Sequence, residues 1–149
     1  MKNRFAYTKL LFCLLISFNL TTLFGQPKDW TLLVYVVGSN IVEDAITDLE
    51  EMQAAGNTDN INIVVLKGGA KIDGWEKPSI STLVNGEEIP QDFLPGDDFM
   101  VSPSNVSEFI DYGVTNYPAN KYMLVFYNHG MAIRGWGYDN TADAQFKIN

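Results

Sequence analysis

Three apolar runs constrain this chain more than anything else in it: WTLLVYVV over 30–37, INIVVL over 61–66 and YMLVFY over 122–127. Each is rich in strand-forming residues, nearly continuous rather than alternating, and closed by turn formers such as Gly38, Gly68-Gly69 and Gly130. A strand that is apolar on both faces has to be covered on both faces, as happens inside parallel sheets flanked by helices. Between the first two runs, Ile41, Val42, Ala45, Ile46, Leu49 and Met52 recur at three- and four-residue steps. That spacing predicts an amphipathic helix over 41–55, with Glu43, Asp44, Asp48, Glu50 and Glu51 on a solvated face. Asn40 is the predicted N-cap, Glu43 completes a box-like arrangement, and Gly56 stops the helix. Strand, helix and strand over 30–66 form a βαβ unit, whose crossover is expected to be right-handed.

The stretch Ala70 to Met100 breaks this rhythm with Gly74, Pro78, Gly86, Pro90, Pro95 and Gly96. Strand-like pieces at 79–84 and 87–89 flank Asn85-Gly86, a hairpin turn signal, and predict a β-hairpin excursion at the edge or end of the sheet. Ser102 or Ser104 caps a second helix that turns Val106, Phe109, Ile110, Gly113 and Val114 inward and ends at Asn116-Tyr117-Pro118. The polar tail from Asp139 onward is expected to add no closing element. The class is α/β.

The N-terminus reads separately. Lys2, Arg4 and Lys9 precede the apolar stretch Leu10–Leu20, followed by a short tail to Gly25. A basic region, an apolar region of about 7–15 residues and a small residue describe a secretory signal peptide. Residues 1–25 are therefore assigned to it and 26–149 to one domain, with an uncleaved anchor as the alternative. The apolar core falls short of the ~20 residues that a membrane span prefers. Residues 1–25 hold three of the ten basic residues and none of the eighteen acidic ones, so the remainder carries a formal charge of −11. Such acidity argues against nucleic acid or an anionic membrane as a partner and is compatible with a cationic peptide. The one cysteine, Cys13, lies inside the signal segment, so 26–149 holds no thiol, no disulfide and no thiolate metal site.

His129, the only histidine, stands at the carboxyl end of the third apolar run. Reactive groups in open α/β sheets gather just beyond the carboxyl ends of strands, and an imidazole titrates near neutrality. His129 is thus a candidate general acid/base; a turn histidine satisfied by a backbone bond is the plainer alternative.

Several pieces in a fixed order carry a resemblance. They are Trp30-Thr31 with Val34-Tyr35, the segment Asp48-Leu49-Glu50-Glu51-Met52 before Gly56, and INIVVL. Tyr112-Gly113 follows, then Asn116-Tyr117-Pro118-Ala119, YMLVFYNHG, and Arg134-Gly135-Trp136 before Tyr138-Asp139. Together they resemble the N-terminal part of the clostripain-like cysteine peptidases, relatives of caspases, gingipains and legumain. The resemblance implies a caspase-like α/β/α sandwich with a mostly parallel sheet, truncated after the histidine-bearing strand and carrying a β-hairpin insertion. It matches His129 to the histidine of a catalytic dyad and Gly130 to the glycine whose backbone N–H holds the developing oxyanion. It implies peptide or protein substrates, cleaved after Arg or Lys, and it allows a calcium ion.

Departures accompany the match. Asn128 stands where an acidic residue is usual, and Lys67-Gly68 replaces an Asp-Arg-like pair. No nucleophilic cysteine is present in this chain, and an Asp-Ala-Cys-like segment is expected on the next parallel strand. The chain alone is therefore expected not to hydrolyse peptides, to act only if a Cys-bearing chain or segment completes it, and to expose an aggregation-prone edge along 121–127. Other features have plainer explanations. Arg134 and Asp139 either shape a pocket or form a surface ion pair or loop contact. The pairs Asp97-Asp98 and Glu87-Glu88 either bind calcium or are solvated. Two further readings compete: a non-catalytic secreted binding module on the same scaffold, and a flavodoxin-like nucleotide binder. The second lacks a phosphate loop after the first strand.

Overall fold

The three apolar runs assemble side by side. In the computed structural model, which describes residues 26–130 and 135–147, they become β1 (Lys28–Val37), β2 (Ile61–Gly68) and β5 (Ala119–Tyr127). β1 pairs in parallel with β2 from Trp30↔Ile61 to Val37↔Gly68, and with β5 from Lys28↔Ala119 to Val36↔Tyr127. The predicted hairpin, β3 (Ser79–Val84) and β4 (Glu87–Pro90), adds antiparallel to β2, giving the order β4-β3-β2-β1-β5. Asn85 and Gly86 take φ of 52° and 82° in its two-residue turn, the left-handed pair that matches the twist of the flanking strands.

Among the described residues two α-helices cover the sheet, one on each face. Helix α1 (Val42–Ala55) seals one face through Val42, Ala45 and Leu49 against Val34, Val36, Ile63 and Val65. Helix α2 (Pro103–Asn116) seals the other, with Phe109 packed among Leu33, Tyr35, Val37, Val64 and Leu66. From β1 the chain moves one way to β2; from β4 it returns the other way to β5. Helices on opposite faces are what two right-handed crossovers running in opposite directions require. This is the expected α/β/α sandwich with a mostly parallel sheet.

Local expectations fare unevenly, each for a physical reason. Ser102 caps α2 by accepting from the Asn105 N–H, and Gly56 closes α1 with φ 60° and its N–H on Met52 O. Asn40 does not cap α1. A 3-10 turn over Ser39–Ile41 intervenes, Ile41 becomes the N-cap residue, and no side chain caps the helix. Val114 stays 43% exposed, because α2 buries Phe109 and Gly113 and turns Val114 away. The strand 119–127 is not buried on both faces: it is the outer strand, and Tyr122, Met123 and Phe126 are exposed. The tail does close on itself, as β6 (Trp136–Asp139) paired antiparallel with β7 (Ala144–Phe146). The signal segment 1–25 lies outside the described residues.

Candidate active site

The order of the sheet fixes where a site belongs. The chain's progress across the sheet reverses between β1 and β5, and the crevice beyond the carboxyl ends of two such strands is where α/β folds bind and react. Two segments meet there: Gly38-Ser39-Asn40 after β1, and Asn128-His129-Gly130 after β5. The register Val36↔Tyr127 brings them level across a separation of 89 residues.

His129 is held by its backbone and met by one side chain. Asn128 anchors the segment: its amide Nδ2 donates to Val37 O at 2.5 Å, while its Oδ1 accepts from the N–H of His129 at 2.7 Å and of Tyr138 at 3.2 Å. A carboxylate at this position would lack the donor for Val37 O, so the departure to asparagine has a structural use here. The Gly137 N–H donates to His129 O at 3.0 Å, and Gly130 bridges to Trp136. The imidazole is exposed, and its Nε2 stands 3.2 Å from the amide Nδ2 of Asn40. Among the described residues, a Cβ built on Gly130 meets nothing within 4 Å.

Asn40 reaches the ring because of the turn that carries it. The Gly38 N–H donates to Gly68 O at 2.8 Å and the Ser39 N–H to Gly69 O at 3.0 Å, prolonging the β1–β2 pairing past the strand ends. Ser39 then takes φ 47°, a left-handed conformation costing a non-glycine residue of order 1–3 kcal/mol. Its hydroxyl is buried with no hydrogen-bond partner among the described residues. Both features mark a residue held by its surroundings rather than by its own preference.

Beneath the site, aromatic rings and one carboxylate brace the β6–β7 hairpin. Phe126 and Trp136 lie 4.7 Å apart by ring centroids, and Trp136 stacks on Phe146 at 5.5 Å. Asp139 is fully buried. Its Oδ2 accepts from the Met100 N–H at 2.6 Å, and its Oδ1 accepts from the Thr141 N–H and hydroxyl and the Ala142 N–H. Four neutral donors make it a loop anchor, the loop contact that was one of its expected roles. Arg134 lies outside the described residues. Burial pushes the Tyr35 hydroxyl pKa far up, with Asp139 and Asp97 adding to the effect, and that hydroxyl donates to Met100 O. Beside β5, the Asp48 carboxylate holds the Tyr127 hydroxyl up to about 12.

Three of the four paired acids have side-chain partners among the described residues. Asp97 accepts from the hydroxyls of Ser102 and Ser104, which lower its pKa, and Asp98 pairs with Lys77 at 3.1 Å. Glu88 pairs with Lys67 at 2.7 Å and accepts from Ser81. Asp97, Asp98 and Glu88 thus already have hydroxyl or lysine partners on their oxygens. Among the described residues no cluster of three His, Cys, Asp or Glu side chains could hold a metal.

Of the predicted site residues, the fold sets His129 and Gly130 together at the rim. Sequence reasoning missed Asn40 as part of that rim, although the rule that singled out His129 applies equally to the end of the first strand.

Comparison with known proteins agrees with this geometry. A family model described as the clostripain family matches residues 34–149. Among solved structures, an inactive zymogen C11 protease from Parabacteroides distasonis is similar at 20% identity and a TM-score of 0.58, covering 76% of this chain and 33% of that one. A secreted C11 cysteine protease from Bacteroides thetaiotaomicron, in complex with an irreversible peptide inhibitor, gives 20% and 0.61, covering 80% and 36%. A clostripain from the same organism, bound to the peptide inhibitor BTN-VLTK-AOMK, gives 18% and 0.52, covering 71% of this chain and 94% of the matched one. The chain thus spans about a third of the first two and nearly all of the matched chain in the third. No curated protein matches. At these identities the structural likeness is one of fold.

Proposed function

Since the chain belongs to the clostripain family, we propose that it supplies the histidine-bearing part of a secreted cysteine endopeptidase. In this reading His129 moves the proton. It holds a proton while a thiolate attacks the scissile carbonyl, and passes it to the leaving amine as the C–N bond breaks. The Gly130 N–H donates to the oxygen on which negative charge develops, and no described residue fills the space a Cβ there would take. The thiolate comes from outside residues 26–149, which contain no cysteine. Peptides with Arg or Lys before the cut are the substrates, in keeping with the acidity of residues 26–149. Residues 1–25 direct export; among the described residues no helix is long and apolar enough to cross a membrane.

One observation carries this reading: His129 and Gly130 stand at the β1/β5 switch point, on a strand whose outer edge is unpaired among the described residues. A further parallel strand along that edge would end beside the imidazole. The test is complementation. The purified chain alone should leave fluorogenic Arg- and Lys-containing peptides intact. Joined to the cysteine-bearing segment of a clostripain-family protease, it should cleave them, and His129→Ala should remove about 10²–10⁴-fold of that rate. Cleavage by the chain alone, or full activity of the complemented His129→Ala variant, overturns the proposal.

A further inference from the structure

We propose that Asn128 is the positioning residue of this site: its side chain occupies the His129 N–H and so leaves the Gly130 N–H as the donor for the oxyanion. This rests on the reading of His129 and Gly130 as peptidase machinery. Two consecutive N–H groups follow β5, at His129 and Gly130. The first donates to Asn128 Oδ1 at 2.7 Å. The second has no acceptor among the described residues. A donor serves a developing oxyanion best when it is held in place and no other bond has to be broken first.

The amide of Asn128 admits one orientation. Val37 O can only accept, and the N–H groups of His129 and Tyr138 can only donate, so a flipped amide would set oxygen against oxygen and N–H against N–H. Its Nδ2 reaches Val37 O at 2.5 Å, one residue beyond the last β1–β5 pair, Val36↔Tyr127. Past that pair the main chain of β1 stays with β2, through the Gly38 N–H on Gly68 O. The side chain thus supplies a rung that the two backbones no longer make. Towards β6, Oδ1 also accepts from the Tyr138 N–H at 3.2 Å, and the Gly137 N–H closes on His129 O at 3.0 Å. Asn128 therefore joins the ends of β1, β5 and β6 where Gly130 has to be held still. It touches no reacting atom and acts through the backbone of the two residues after it. An aspartate has the same shape, but when ionised it has no hydrogen for Val37 O and sets a negative charge near a developing one.

Hydrogen exchange and kinetics test this together. In the full chain labelled with 15N, the His129 amide should be protected about 10-fold or more over the Gly130 amide, and Asn128→Ala should abolish the difference. In the complemented enzyme, Asn128→Ala should lower kcat about 10–100-fold with KM within about twofold. Asn128→Asp should lose as much at about pH 8 and recover towards wild type, compared at the same pH, by about pH 5, where a protonated carboxyl regains a hydrogen for Val37 O. That variant keeps the shape of the side chain, so it decides the matter if Asn128→Ala folds poorly. A deficit in Asn128→Asp that is equal at both pH values overturns the proposal, as does a Gly130 amide protected as well as that of His129. So does an Asn128→Ala enzyme with wild-type kcat beside an inactive His129→Ala, an outcome that leaves the peptidase reading standing. An active His129→Ala enzyme overturns the peptidase reading and this proposal with it.

Discussion

β2 and β5 flank the same strand, run the same way and are written in nearly the same apolar alphabet, yet one is sealed and the other open. Val64, Val65 and Leu66 are fully buried, whereas Met123 is 46% and Phe126 43% exposed. The difference lies in what stands on the far side. The β3–β4 hairpin closes the outer edge of β2, and both helices press their apolar faces onto β1 and β2. β5 receives only the fringe of each helix, and its outer edge has no partner among the described residues. Stability is concentrated on one flank and the candidate chemistry on the other.

The sharpest way to break this comparison is to cut equivalent apolar mass from each flank. Leu66→Ala removes a fully buried side chain and should cost about 2–5 kcal/mol in urea unfolding. Met123→Ala, at a half-exposed position on the open flank, should cost about 0.5 kcal/mol or less. Similar losses at both sites would mean that β5 is covered as well as β2.

How much of this asymmetry could be read from the sequence is instructive. The three parallel strands were legible, because apolar runs of that length demand two covered faces, and so was the hairpin, because Asn85-Gly86 permits almost nothing else. The edge position of β5 was not legible from its own residues, since YMLVFY describes the environment the strand is suited to; the exposed edge expected along 121–127 came from the resemblance, which places a further strand beside it. Asn40 was misread for a local reason. An Asn before a helical stretch looks like a cap, and only the distant pairing of β1 with β5 gives it another partner. The β6–β7 hairpin was hidden because a buried acid at Asp139 looks like a surface residue until its four donors are seen.

A second comparison sharpens the first within one helix. Gly113 of α2 lies so close to β1 that an added Cβ would stand 2.3 Å from Leu33 Cδ2. Gly113→Ala should therefore lose about 1–3 kcal/mol through overpacking, despite the higher helix propensity of alanine. Its neighbour Val114 faces solvent, and Val114→Ala should stay within about 0.5 kcal/mol of zero. If Gly113→Ala were stabilising, α2 would sit more loosely on β1 than the contact implies.

The open flank itself predicts self-association. Unpaired strand edges with exposed apolar side chains recruit other chains, and a charge on such a strand suppresses this. In sedimentation velocity the wild-type chain should show a concentration-dependent shift to larger species, and Met123→Lys should reduce it several-fold. Leu66→Ala, on the closed flank, should not reduce it. A wild-type chain that stays monomeric across the range would show the edge to be protected.

The smallest expected effect belongs to the closed flank and depends on pH. Asp97 lies in the loop that leads from the hairpin into α2, and its carboxylate accepts from Ser102 and Ser104, beside the helix cap. Those bonds hold its pKa below the ordinary 3.8. A depressed carboxylate contributes stability that is fully present above the unfolded value and fades as pH falls through the folded one. Asp97→Asn should therefore lower the urea midpoint slightly at pH 7, and the gap between the two proteins should close below about pH 4. The site is exposed, so solvent screening keeps the effect small. A gap that persists unchanged at pH 3 would assign the loss to the geometry of the cap rather than to charge, and the closed flank would then owe nothing there to ionisation.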